Sequence, residues 1–89
     1  MFKLIIAIIR DSDDAAIMDA LVAANFRATR IASTGVFWRQ GNTTLIIGVE
    51  ADKLDVAINT IKSACGPAPT DGSRSATIFV LNAAGYEQI

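Results

Sequence analysis

Phe37, Trp38 and Arg39 stand side by side in a loop bracketed by Gly35 and Gly41. Two aromatic rings beside a guanidinium make a surface on which a flat ring can stack. Groups that donate and accept hydrogen bonds flank that loop: Arg27, Thr29, Ser33 and Thr34 before it, Asn42 and Thr44 after it. Stacking surface plus such groups is the chemistry that holds a nucleobase or a nucleotide. The alternative is packing, with Phe37 capping the core and Trp38 in a subunit contact.

Each flanking residue has two readings. Arg27 can grip a phosphate as a planar fork, or pair with Asp11 or Asp13. Asn42 can bond a base edge, or cap its turn by bonding its own backbone. Gly48 interrupts a strand pattern, which signals close approach by a ligand or a bulge, the bulge being the simpler of the two. Gly35–Thr43 is not a phosphate loop, because the spacing is off by a residue and Asn42 stands where lysine is required. Asp11, Asp13 and Asp14 read as acids opening a helix rather than as a metal site.

Nothing in the chain assembles a catalyst. Histidine is absent, which removes imidazole catalysis and histidine ligation. Ser12, Ser33, Thr34 and Cys65 have no base beside them in the sequence. Cys65 lies on an apolar helical stripe and reads as core. As the only cysteine it permits no intrachain disulfide, which fits a reducing, cytoplasmic setting.

These residues need a scaffold. With 89 residues the chain is read as one domain, 1–89, and at 52% hydrophobic and 19% charged it is too apolar to be disordered. Its 8 basic and 9 acidic residues create no field for long nucleic acids. Phe2–Ile9 is too short to cross a bilayer or to serve as a signal peptide, and reads as a buried strand.

A helix is expected from about Asp14 to Ala24, with Ile17, Leu21 and Ala24 on one stripe. Strands follow at about Thr29–Thr34 and Asn42–Val49. A second helix spans about Asp52–Ala64, stopped by Gly66 in a left-handed turn and by Pro67. The turn-rich stretch Gly66–Ser75 leads to a fourth strand, Ala76–Asn82. The order βαββαβ reads as a ferredoxin-like α+β sandwich, a four-stranded antiparallel sheet with both helices on one face. Yet the first and last strands alternate apolar groups onto both faces: Phe2, Leu4, Ile6 and Ile8 against Ile5, Ala7 and Ile9, and Phe79 and Leu81 against Ile78 and Val80. A bare apolar face aggregates, so self-association through it is expected.

Longer runs carry a family likeness. Asn25–Thr29, Ser33–Gly35, Phe37–Arg39, Gly41–Thr44 and Gly48–Val49 resemble the PII-like cyclic di-AMP receptors of bacteria, as do Lys3–Ala7 and Ala76–Val80. The resemblance covers nearly the whole chain. It implies a homotrimer of ferredoxin-like subunits that binds cyclic di-AMP between subunits, signals to a protein target, needs no cofactor and is not an enzyme. By position it implies ligand contacts from Asn25, Arg27, Thr29, Phe37, Trp38, Asn42 and Gly48. Arg27 and Thr29 would approach phosphate and ribose, Phe37 and Trp38 would enclose adenine, and Asn42 would bond its edge. Phe79 and Gln88 would close the cleft.

The chain departs from that pattern at Val36, where a second glycine is usual, at Trp38, where an aliphatic residue is usual, and in the short Gly66–Ser75 connection. Two other classes remain open. Acylphosphatases share the fold but carry a glycine-rich anion loop after the first strand, where this chain reads Arg10-Asp-Ser-Asp-Asp14. An amino-acid-binding regulatory domain or plain oligomerisation unit needs no nucleotide.

Overall fold

The computed structural model describes residues 1–31, 41–67 and 75–83. β1 (Phe2–Arg10) is followed without a loop by α1 (Asp11–Ala23). β2 (Ala28–Ile31) and β3 (Asn42–Glu50) come next, then a 3-10 turn (Ala51–Lys53), α2 (Leu54–Ala64) and β4 (Ala76–Ala83). The sheet runs in the order β2-β3-β1-β4 with every neighbouring pair antiparallel. This is the ferredoxin-like sandwich that the pattern of elements predicts.

Period-2 alternation sorts the strand residues. Ile5, Ala7 and Ile9 of β1 and Leu45, Ile47 and Val49 of β3 are buried beneath the helices, where Ile17 and Leu21 of α1 meet Ala57 and Ile61 of α2. Ala28, Ala76 and Ile78 pack at the margins of the same core. The opposite face carries Phe2, Leu4, Ile6 and Ile8, with Ile46 beside them. Its edges are more open, Phe79 at 52% and Leu81 at 48% exposure. No described element covers this face. No helix among the described residues is long and apolar enough to cross a membrane.

Three local expectations are corrected. First, α1 begins at Asp11 rather than Asp14, with Arg10 in the N-cap position. Asp11, Asp13 and Asp14 therefore all lie in its first turn, near the positive end of the helix dipole. Second, Gly66 is not left-handed: Gly41 alone among the described glycines has positive φ. α2 ends because Cys65 turns extended, at φ −68° and ψ 142°. Gly66 is needed for space, since a Cβ there would stand 3.0 Å from the Asp13 carboxylate that accepts its N–H. Third, Gly48 marks no bulge. It pairs with Leu4 in an unbroken register from Phe2↔Glu50 to Arg10↔Asn42.

The residue that is left-handed is Asn25, at φ 71°. Its N–H reaches the Val22 carbonyl at 3.0 Å, and the Phe26 N–H reaches Leu21 at 2.9 Å. That pair of bonds is a Schellman closure of α1, and Phe26 packs on the core beyond it. Asparagine tolerates this conformation and glycine adopts it freely. Asn25→Gly should match or exceed the wild type in urea denaturation, whereas Asn25→Ala should lose about 1 kcal/mol. Equal loss in both variants would show that the side chain, not the backbone, matters there.

Candidate functional site

Of the residues singled out as ligand contacts, Asn25, Arg27, Thr29, Asn42, Gly48 and Phe79 lie among the described residues; Phe37, Trp38 and Gln88 lie outside them. The fold does not gather the described six in one place. Thr29 is opposite Ile46, Ile46 opposite Ile6, and Ile6 opposite Phe79. Thr29 and Phe79 are thus the two ends of one row across the open face. Three inter-strand spacings separate them, roughly 14 Å.

A second separation runs along β3. Gly48 lies one row from Thr29, at the end of the sheet where α1 closes at Asn25 and the chain passes through Arg27 into β2. Asn42 opens β3 at the other end, opposite Arg10, roughly 20 Å from Gly48. The connection that bears Phe37 and Trp38 joins Ile31 to Gly41 and so returns to the Asn42 end. Within a protomer, then, the donors Asn25, Arg27 and Thr29 are grouped with Gly48, Asn42 stands at the far end, and Phe79 stands on the far edge. A Cβ built on Gly48 meets nothing within 4 Å, so its own protomer gives no steric reason for glycine.

The Asn42 end is held by a polar corner. The Asp11 N–H donates to the Gly41 carbonyl at 2.7 Å, and the Thr43 hydroxyl donates to the Asp11 carboxylate. Asp13, 6% exposed, receives Arg10 Nη2 at 2.8 Å and the Gly66 N–H at 3.0 Å. Arg10 Nη1 also donates to the Pro67 carbonyl at 3.1 Å. Asp14 pairs with Arg30 of β2 at 2.8 Å. The pairing of Arg27 with Asp11 or Asp13 is thereby overturned. Those acids open α1, whereas Arg27 follows its closing end. Sequence reading overlooked Arg10 and Thr43; an arginine three residues before a helix-opening aspartate was the available signal.

The same junction argues against the acylphosphatase alternative. β1 passes into α1 with no loop between Arg10 and Asp11, and the acids there are already bonded within the fold. There is no group of ligands for a metal ion among the described residues. Cys65 packs against the core and its thiol donates to the Ile61 carbonyl at 3.3 Å. Burial pushes that thiol above its ordinary pKa, and the nearby Asp13 charge adds to the effect against the opposing Arg10.

The class defined so far is a ferredoxin-like subunit with an apolar sheet face that no described element covers and candidate ligand contacts spread over its two ends. The sequence profile of the cyclic-di-AMP receptor family matches residues 2–75, and the chain belongs to that family. Among solved structures it resembles a functionally unknown protein from Pediococcus pentosaceus ATCC 25745, with 32% identity, a TM-score of 0.81, and coverage of 99% of this chain and 97% of that one. The two chains are therefore of nearly equal length. The PII protein of Arabidopsis thaliana, solved bound to citrate, has the same fold at 21% identity and a TM-score of 0.69, covering 92% of this chain and 77% of that one. The family is one of receptors for a nucleotide, and the fold is the one that the plant PII protein shares. The family match stops before β4, so the assignments of Phe79 and Gln88 lie beyond it.

The raised Cys65 pKa has a kinetic consequence, because only the thiolate attacks. Iodoacetamide should alkylate Cys65 more slowly than free cysteine throughout the mildly alkaline range. A rate equal to or above that of free cysteine would contradict the assigned environment.

Proposed function

We propose that this protein is a cytoplasmic homotrimeric receptor that binds cyclic di-AMP in clefts between its subunits and breaks no bond. The observation that carries the proposal is the division of the ligand contacts. Thr29 and Phe79 end one row on opposite sheet edges, and Asn42 and Gly48 lie at opposite ends of β3. Each separation far exceeds a purine ring, so one protomer cannot close all of them around one adenine. A ring of symmetric copies brings different patches of neighbouring protomers together. The open space at Gly48 supports close approach from outside the protomer, and the apolar face that no described element covers offers a surface for association.

In the shared cleft Arg27 and Thr29 approach phosphate and ribose of the ligand. Phe37 and Trp38 of the adjoining protomer enclose an adenine, Asn42 bonds its edge, and Asn25 and Gly48 complete the floor. Phe79 and Gln88 close the rim. No metal or cofactor takes part. Occupancy changes the surface shown to a protein target, by shifting populations rather than by chemistry.

Calorimetric titration with cyclic di-AMP, cyclic di-GMP, ATP and AMP tests the reading. Heat is expected with cyclic di-AMP. Phe37→Ala should weaken it by roughly 1–3 kcal/mol, the value of a lost stacking contact. Gly48→Ala should abolish binding while leaving the circular dichroism of the fold intact. Silence with all four nucleotides would end the receptor proposal.

Sedimentation equilibrium tests the assembly separately. A trimer is expected at micromolar concentration, and a stable monomer would remove the shared cleft.

A further inference from the structure

We infer that the first turn of α1 is a mechanical junction that couples the connection between β2 and β3 to the connection between α2 and β4. This deepens the receptor proposal but is testable without any ligand. The carrying observation is that both connections are tied to the same turn, at adjacent residues and by independent bonds. Asp11 holds the first: its N–H takes the Gly41 carbonyl and its carboxylate takes the Thr43 hydroxyl. Asp13 holds the second: its carboxylate takes the Gly66 N–H, while Arg10, bonded to the same carboxylate, also takes the Pro67 carbonyl.

The two ties cannot move independently. Asp11 and Asp13 belong to a single helical turn whose backbone is continuous with β1, and β1 is the strand that pairs with both β3 and β4. Asp13 is buried and clamped from two sides, and Gly66 has no slack, since even a methyl there would press on its carboxylate at 3.0 Å. A shift of Gly41–Thr43 therefore pulls on Asp11 and, through the turn, on the Asp13–Gly66 contact. The other polar bond of this turn, Asp14 with Arg30, fastens β2 and gives the junction a third point of support. In a receptor whose ligand touches the first connection, the second is then the place where occupancy is felt.

Amide hydrogen exchange read by mass spectrometry reports both connections at once, as peptides covering 32–40 and 68–74. Two variants act on opposite ties. Thr43→Val removes the hydroxyl that bonds Asp11. Gly66→Ala pushes on Asp13 without changing any charge. Each is expected to change exchange in the distant connection as well as in its own, by roughly fivefold or more, the usual scale of coupling between sites. The effect must be reciprocal, and emission of the sole tryptophan, Trp38, should follow Gly66→Ala.

Changes confined to the mutated side in both variants overturn the coupling, provided thermal melts show folded protein. Should either variant unfold, Asp11→Asn and Asp13→Asn are measured in the same way and judged by the same distant peptides. In the wild type, cyclic di-AMP should alter exchange in 68–74. Calorimetric heat without that change overturns the junction and spares the receptor, whereas absence of heat overturns the receptor and leaves the ligand-free coupling to stand or fall on the variants.

Discussion

The constraint on which the rest of this structure depends is one of coverage. Two helices can bury one face of a four-stranded sheet, and this chain makes the sheet apolar on both. The helix side buries Ile5, Ile17, Leu21, Ile47 and Ile61 wholly, and stays open at its β4 edge, where Val80 is 40% exposed. The other side keeps Phe79, Leu81 and Ile31 exposed at its edges and a row of isoleucines and leucines between them. Hydrophobic surface of that extent marks an interaction site or an aggregation hazard. Antiparallel sheets usually resolve the problem with polar residues on the outer face. Here the register places Thr29, Thr44 and Thr77 within it and Arg10, Asn42 and Glu50 at its ends, and Thr29 and Asn42 belong to the candidate ligand contacts.

The same coverage constraint explains the scattered site. Had the ligand contacts been gathered in one protomer, they would have needed a cavity, and a sandwich of this size has little interior to spare. Rows and registers instead spread them over both edges and both ends of the sheet. Each group is rigid by itself: Thr29 and Gly48 sit in a continuous ladder, and Asn25 is fixed by the closing bonds of α1. Precision of that kind suits a site completed by docking rather than by loop closure, because little ordering entropy is left to lose when the halves meet.

What was legible in the sequence was local or periodic. Alternation in Phe2–Ile9 sorted its residues onto the two faces that the structure shows, since the side-chain period of a strand is fixed by backbone geometry. Errors arose wherever a residue is set by a partner remote in the chain. Gly66 looks like a helix stop, yet its reason is a carboxylate 53 residues earlier. Arg27 looked able to reach Asp11 until the helix length between them was known. Gly48 resembled a bulge because register is a property of two strands and not of one. The candidate site suffered most from this limit: residue types were readable, but their separation across rows was not.

Binding and assembly are linked in any site built this way. A ligand that touches Thr29 of one protomer and Asn42 of the next binds the assembled state and not the separated one, so its free energy of binding is added to that of association. Conversely, whatever loosens the contact between sheets lowers apparent affinity without touching a ligand-contacting atom. The corner at Arg10, Asp11 and Asp13 then has a particular standing. It lies at one end of the sheet, where it fixes the start of β3 and hence the placement of Asn42. Polar bonds are directional, and at Asp13, the buried member of this corner, breaking one leaves a desolvated charge. Apolar sheet contacts, by contrast, hold copies together with little preference for small rotations. Where a nucleotide site is completed by such association, sheet contacts set how tightly the copies hold, and Arg10, Asp11 and Asp13 set how β3 presents Asn42.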